Sequence, residues 1–353
     1  MALHRVDVAT ALAGWGGFDT VIDARSPSEH ALDHLPGAVN WPSLDDEERR
    51  LVGTEYAQIS AFEARKRGAV LVARNIARHL EREMPGRLRQ WKPLVYCWRG
   101  GQRSGALALV LSQIGFEVSV LEGGYRAFRR QVLAELETLP AGLQLQMLCG
   151  RTGSGKSRLL GAMAGTGAQV LDLEDLAAHR GSVLGALPGQ PQPSQKAFET
   201  AVWWALRGAD TSRSLWVESE SRTIGRLRVP EALLTRMRSA DCVRLEMPQA
   251  ARVELLMEDY GHFVLDPSLL CERLQALREL RGAAVVEGWQ ARVRSGAVAE
   301  VVRELLEQHY DPIYERSMAR NFSGFGQARV LELADGSPGE LARGARSLGQ
   351  AES

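Results

Sequence analysis

Cys97 closes an apolar run and is followed by Trp98-Arg99-Gly100-Gly101-Gln102-Arg103. A strand feeding such a loop, with a helix behind it, turns several backbone N–H groups inward and makes a nest for an anion. The same field lowers a thiol pKa and stabilises a thiolate, persulfide or selenide. Arg99 and Arg103 add positive charge, and the glycines let the backbone curl. A buried structural cysteine is the competing reading; the arginines and glycines favour the reactive one. A second chemical stretch starts at Gly150, where Gly150-Arg151-Thr152-Gly153-Ser154-Gly155-Lys156-Ser157 satisfies G-x-x-x-x-G-K-[ST]. Its amides, Ser154 among them, can wrap a phosphate, Lys156 supplies a point charge, and Ser157 can reach a magnesium ion. Lysine is scarce in this chain, at 66, 92, 156 and 196 only, against 39 arginines, so its use here is selective. The motif implies phosphate binding and does not by itself imply ATP.

A phosphate loop of this kind is served by acids at the ends of neighbouring strands. VLDLED offers Asp172 and Glu174, and LWVESE offers Glu218 and Glu220. Solvent-facing strand ends are the alternative for any one of them. Arg222 and Arg226 follow the second pair closely and can meet phosphate or simply pair with the acids. Arg180 is preferred to His179 as a substrate contact, since a lone histidine is more often structural. Gln195 and Lys196 open a helix, where N–H groups and a cation could meet an anion; a capped surface helix is the competing reading. Trp203 and Trp204 could stack a base, although a helix burying one tryptophan is the simpler account. Tyr310 reads as packing at a helix end before Pro312.

The elements that must position these residues are short strands alternating with helices, which argues for parallel α/β sheets. Strands are expected at 18–25, 34–42, 93–97 and 117–124, with helices over 55–83 and 104–115. The seam is ETLPAG, 137–142, giving one domain over 1–137 and another over 138–353. In the second, strands are expected at 143–150, 168–174, 214–220 and 241–247, and the chain turns helical from Pro248. A single helix over 266–282 has an Asp cap, an adjacent Pro and a terminal Gly. The Gly-, Ser- and Ala-rich tail from about Asp335 is expected to fray.

Hydrophobic residues make up 45% of the 353, enough for two cores. Lys+Arg and Asp+Glu both total 43, which excludes a generally basic nucleic-acid coater but not a local basic face. Nine Lys/Arg fall between Arg65 and Lys92, among them Arg65, Lys66, Arg67, Arg74 and Arg78, against three acids in 63–92. That stretch could track nucleic-acid phosphates or be a solvated helix face. The four cysteines show no zinc or disulfide spacing. Neither a signal peptide nor a membrane span is read, so a cytoplasmic protein is expected.

The motifs VIDARSPSEH, HLPGAVNWP, CWRGGQRS and VLEGGYRAF, in that order, resemble a rhodanese domain. The resemblance implies that Cys97 carries a chalcogen, that the 98–103 backbone cradles it, and that Asp23 and Arg25 shape the pocket. With the phosphate loop and DLEDLAAHRGS, QPSQKAFE, VESESRTIG, DYGHF and HYDPIYE, nearly the whole chain resembles the bacterial tRNA 2-selenouridine synthases. The resemblance implies a rhodanese-like parallel sheet followed by a P-loop α/β domain with a helical C-terminal part. It implies a transferase acting on tRNA that carries 2-thiouridine at the wobble position. The implied substrates are geranyl diphosphate, which alkylates the sulfur, and selenophosphate, which replaces it with selenium. No tightly bound cofactor is implied; magnesium at Ser157 is a candidate, and a selenophosphate-producing enzyme is a candidate partner. Two other readings stay open: a sulfurtransferase fused to an unrelated P-loop kinase or NTPase, and a nucleotide-gated binding module.

Overall fold

The computed structural model describes residues 2–182, 185 and 189–349. Two compact units account for the chain: Met1–Glu135 with Ser194–Trp204, and Leu136–Pro193 with Ala205–Ser353. The greater part of helix Gln195–Gly208, through Trp204, therefore belongs to the first unit, a return of the chain that no local pattern signals.

In the first unit five parallel strands, β1 (Ala2–Val6), β2 (Thr20–Asp23), β3 (Val39–Asn40), β4 (Pro93–Tyr96) and β5 (Glu117–Leu121), lie in the order β1-β5-β4-β2-β3. The central β4 is buried along its whole length, as apolar residues on both faces require. Ile22, Val95, Leu107, Leu111, Val118 and Val120 form the core between sheet and helices. Two expectations are corrected here. The helical region read over 55–83 is two helices, Asp46–Gln58 and Ala61–Glu83, because Ser60 accepts from the N–H groups of Phe62 and Glu63 and starts a new one. The strand read over 34–42 shrinks to Val39–Asn40. The edge strand β1 was not anticipated; its five residues are too few to show a period, and its pairing with β5 defines it.

The second unit holds another all-parallel sheet, of β6 (Gln144–Gly150), β7 (Gln169–Leu171), β8 (Ser214–Glu218), β11 (Asp241–Glu246) and β12 (Arg329–Glu332), ordered β12-β11-β6-β8-β7. A two-stranded ribbon, β9 (Thr223–Ile224) and β10 (Leu227–Arg228), follows β8. Register pairs Leu148 with Glu218 and Leu171 with Val217, so the ends of β6, β7 and β8 open at one edge. Ligands of open parallel sheets collect at such carboxyl ends. The expected helix over 266–282 keeps its cap, Asp266 accepting from Ser268 and Leu269, and its end, Gly282 at φ +87°. Between them, however, the helix breaks into Pro267–Leu274, a 3₁₀ turn and Arg278–Arg281. The tail read as frayed from about 335 is corrected: Pro338–Gly349 is a helix that buries Leu341, Ala345 and Leu348 against Leu159, Leu160 and Leu331. Spaced apolar side chains outweigh the small-residue composition there.

Candidate functional site

Cys97 directly follows β4, and the loop it opens closes on helix Gln102–Ile114, with Gly101 at the N-cap. The thiol is buried, and the Ser104 hydroxyl donates to Sγ at 3.1 Å. Burial opposes the thiolate, but the Ser104 hydroxyl and N–H, the Arg103 charge and the Arg99 N–H outweigh it and hold the thiol below its ordinary value. Gly124 makes this geometry necessary. A Cβ there would lie 2.2 Å from the Cys97 carbonyl oxygen and 2.5 Å from the Gly100 nitrogen. Tyr125 and Arg126 then donate their N–H groups to the carbonyls of Cys97 and Trp98, which pins the loop. Arg99 is exposed, whereas Arg103 is half-buried and paired with Glu29 at 3.1 Å, so the two arginines anticipated together serve differently.

Asp23 and Arg25 form a buried pair at 2.6 Å, joined by His30 at 3.1 Å from the same carboxylate. Arg25 also donates to the Asp33 carbonyl and lies 4.0 Å from the Tyr125 ring centre. Both charges are thus spent on structure, which agrees with a shaping role. The Asp33 carboxylate accepts from Tyr125 at 2.7 Å and from Thr200 at 3.0 Å, so the returning segment 194–204 is bonded into this unit. Trp203 is fully buried and donates to Glu135, while Trp204 packs on Trp15, as the burial account required. Gln195 and Lys196 open this helix within the first unit, where Gln195 donates to Glu199.

The basic residues of helix Ala61–Glu83 divide. Lys66 pairs with Glu63 and Arg67 with Glu55, and Arg78 donates to Asn75. Arg65 and Arg74 are exposed on the same helix.

In the second unit Gly153 and Gly155 have φ of +78° and +82°, the left-handed conformation that lets the loop wrap. Lys156 Nζ donates to the Gly150 carbonyl at 2.9 Å. Ser154 is buried, and its hydroxyl has no hydrogen-bond partner among the described residues. Ser157 donates to Glu174 at 3.1 Å and to Glu218 at 3.3 Å. Carboxylate oxygens of Glu174, Glu218 and Glu220 lie within 4.8 Å of one another. Burial, then the charges of Glu174, Glu220 and Asp172, push Glu218 well above the usual carboxylate range. Burial and the Glu174 charge push Glu220 up to about 8. Glu174 is raised by burial, against Lys156 and Ser157. Three such carboxyls beside a hydroxyl are a hard-oxygen donor set, the kind that suits a divalent cation such as magnesium.

Three of the anticipated residues have other partners. Asp172 caps the short helix Leu173–Leu176 by accepting from Asp175. Arg222 is exposed and pairs with Glu231 at 3.5 Å, because the β9–β10 ribbon carries the chain away. Arg226 donates to the Gln192 carbonyl instead of a phosphate site. Arg180 does line the cleft; it pairs with Asp259 at 3.3 Å and lies 5.3 Å from the Tyr260 ring. His179 is buried, which pushes its imidazole down, and stays structural.

The residues missed are those that hold the loop from behind. Tyr314 accepts from the Gly150 N–H at 2.6 Å, Arg151 pairs with Glu315, and Arg252 donates twice to the Thr152 carbonyl while gripping Asp311 at 2.6 Å. HYDPIYE was read as a helix end. Instead Pro312 sits in the first turn of helix Asp311–Asn321, where its missing N–H costs nothing. A π-helical turn, Leu306–Tyr310, precedes it and rotates Tyr310 and Tyr314 toward the cleft. The polar side chains of Asp311, Tyr314 and Glu315 were the available signal.

Comparison with known proteins agrees with this division. Residues 6–131 match the rhodanese-like domain family, and residues 143–268 match the tRNA 2-selenouridine synthase AAA domain. The chain is 32% identical to the tRNA 2-selenouridine synthase of Alcanivorax borkumensis over 85% of this chain and 90% of that one. It is 36% identical to that of Shewanella denitrificans over 89% of this chain and 91% of that one. To that of Nitrosomonas europaea it is 35% identical, over 68% of this chain and 63% of that one. With a buried thiol on a glycine loop in one unit, a phosphate-loop motif in the other and this extent of identity, the chain belongs to the tRNA 2-selenouridine synthase family.

Proposed function

We propose that this protein replaces the sulfur of 2-thiouridine at the tRNA wobble position with selenium, by way of an S-geranyl intermediate. Membership in the family supports action on tRNA to give 2-selenouridine. The observation that carries the finer reading is the presence of two unlike loops in one chain: a thiol at Cys97 that accepts from Ser104, and a phosphate loop ringed by carboxyls.

In the first step the 2-thio sulfur attacks C1 of geranyl diphosphate; the S–C bond forms, the C–O bond breaks, and inorganic diphosphate leaves. The amides of 150–157 and Lys156 hold the diphosphate and stabilise it as charge builds on departure. Glu174, Glu218, Glu220 and Ser157 would hold a magnesium ion, which when bound neutralises diphosphate oxygens. Arg180 reaches the same cleft from the side. In the second step the selenium of selenophosphate forms a bond to C2 and the C2–S bond breaks, so the geranyl thiolate departs, because alkylation has made sulfur a better leaving group. Water then cleaves the Se–P bond, and inorganic phosphate leaves 2-selenouridine behind. The Cys97 loop suits the anionic selenium species at this stage. A selenophosphate-producing enzyme must feed this step, and a tRNA substrate places the work in the cytoplasm. No helix of the described residues is long and apolar enough to cross a membrane. Arg65 and Arg74, with Lys66, Arg67 and Arg78, are the surface proposed to meet tRNA phosphates.

Nucleoside mass spectrometry on 2-thiouridine tRNA tests the reading. Geranyl diphosphate should give the S-geranyl nucleoside, and added selenophosphate should convert it to 2-selenouridine. Unchanged 2-thiouridine under both conditions, with turnover of thiosulfate at Cys97 instead, would return the protein to sulfurtransferase chemistry.

A further inference from the structure

Beside the phosphate loop the second unit contains a slot walled almost wholly by hydrocarbon. Leu256, Met257, Phe263, Leu270, Val302 and Leu305 form most of it. These side chains come from four helices of the C-terminal part, Gln249–Asp259, Gly261–Leu265, Pro267–Leu274 and Val298–Leu305. At its mouth stands Thr152, a residue of the phosphate loop itself, and the slot shares Thr152, Leu256, Tyr260 and Tyr310 with the phosphate-loop cleft. The space free of protein atoms, mouth included, is about 530 Å³, of which only about 50 Å³ is wide enough for the centre of a water molecule.

Each of these observations bears on what could lie there. A nucleoside needs hydrogen-bonding partners for its base and ribose, and room for two rings; the slot is too narrow for that, and its polar groups are few, the hydroxyls of Thr152, Ser182, Tyr260 and Tyr310. Water gains little in such a place, since it needs two to four polar partners. A thin, branched hydrocarbon chain loses nothing by leaving water and fits the bore. Its head would have to be anionic, because the slot opens on a loop of backbone amides and Lys156.

We infer that this slot binds the hydrocarbon tail of a prenyl diphosphate whose head lies on the 150–157 loop, and that Val302, Leu270 and Met257 set the tail length. The inference rests on the reading that the loop holds a prenyl diphosphate, and adds where the tail goes and what selects it. Thr152 then joins the two halves of the ligand site: its carbonyl is held by Arg252, which fixes the loop and the slot mouth together. The helical C-terminal part becomes the selectivity element of the enzyme, and the sheet carries the head group.

Calorimetric titration of the full chain, with magnesium, against inorganic diphosphate and the dimethylallyl, geranyl and farnesyl diphosphates tests this. Wild type should bind geranyl diphosphate about tenfold or more tighter than inorganic diphosphate, since each buried methylene contributes about 0.8 kcal/mol and 1.4 kcal/mol is tenfold. Val302→Trp, at a half-buried wall position, should cut that preference to near unity and leave inorganic diphosphate binding unchanged. Val302→Ala, which carries little folding risk, should shift the preference toward the farnesyl chain. A folded Val302→Trp that keeps the geranyl preference, together with Val302→Ala that does not move the chain-length order, overturns the inference. Wild type that binds inorganic and geranyl diphosphate equally overturns it and leaves the phosphate loop standing. Wild type that binds neither overturns the underlying reading as well.

Discussion

The two loops at 97–103 and 150–157 are built alike and charged unlike. Both follow a buried parallel strand, both turn on glycines, and both end on a helix N-terminus. Around Cys97 the counter-charges are cationic or neutral donors, Arg99, Arg103 and Ser104, and the acid in contact, Glu29, is occupied by Arg103. Around Lys156 three carboxyls converge, and two of them are forced well above their usual range. On the proposed reading the first loop accepts an anion on its own. On the same reading the second accepts one together with a cation, which its three carboxyls would hold. Similar backbone geometry thus gives two chemistries, and the flanking side chains decide which.

The widest separation of the two regions is by single substitutions. Cys97→Ala should abolish selenium incorporation and leave geranyl transfer intact, whereas Lys156→Ala should cut geranyl transfer by about ten- to a hundredfold, the worth of a charge-assisted hydrogen bond. Nucleoside mass spectrometry reads both. Loss of geranylation in folded Cys97→Ala would erase the distinction.

Next in size is a stability effect confined to the first unit. Arg25→Met leaves the Asp23 carboxylate buried without its guanidinium partner, held only by His30 and the backbone N–H of residue 25, and should cost about 3–5 kcal/mol in urea unfolding. Asp23 is held below the usual range: burial works against its charge, and His30 and Arg25 prevail over it. The stability it supplies is present above its unfolded value and should fade as pH falls through its folded one, a dependence that Asp23→Asn should remove.

Chelation sharpens the comparison further. Removing divalent ions with EDTA should weaken inorganic diphosphate binding on the order of tenfold or more, yet leave the alkylation rate of Cys97 as it was. An equal response at both sites would mean that the carboxyl cluster has no bearing on the difference. Within the first loop, Ser104→Ala should move the pH profile of Cys97 alkylation upward and slow the reaction several-fold at neutral pH, because a donor to the thiolate is gone.

The smallest effect expected is at the surface. Arg65→Glu with Arg74→Glu should weaken tRNA binding and reduce its salt slope by about one per lost phosphate contact. An unchanged slope would discard this helix as the docking surface.

Local signals carried much of this. Glycines followed by Lys156 and Ser157 spell a phosphate loop because only that order gives amides, a cation and a hydroxyl in one turn, and the cysteine loop is similarly self-describing. Alternating apolar runs located eight of the parallel strands, since a buried strand must be apolar throughout. Other features had no local trace. Glu174 and Glu218 could be named as strand-end acids, but Asp172 looked the same and is a helix cap; only the register of β6, β7 and β8 brings the right ones to Ser157. Residues 194–204 join the first unit because Trp203, Thr200 and Glu199 find Glu135, Asp33 and Arg129 there, contacts separated by up to 167 positions. The tail helix, the π turn before Asp311 and the apolar slot likewise exist only through packing. The sequence by itself determined the reactive loops, whose chemistry is written in a few adjacent residues. The tertiary structure decided which distant acids, tyrosines and apolar walls surround them, because long-range pairing has no signature within any single segment.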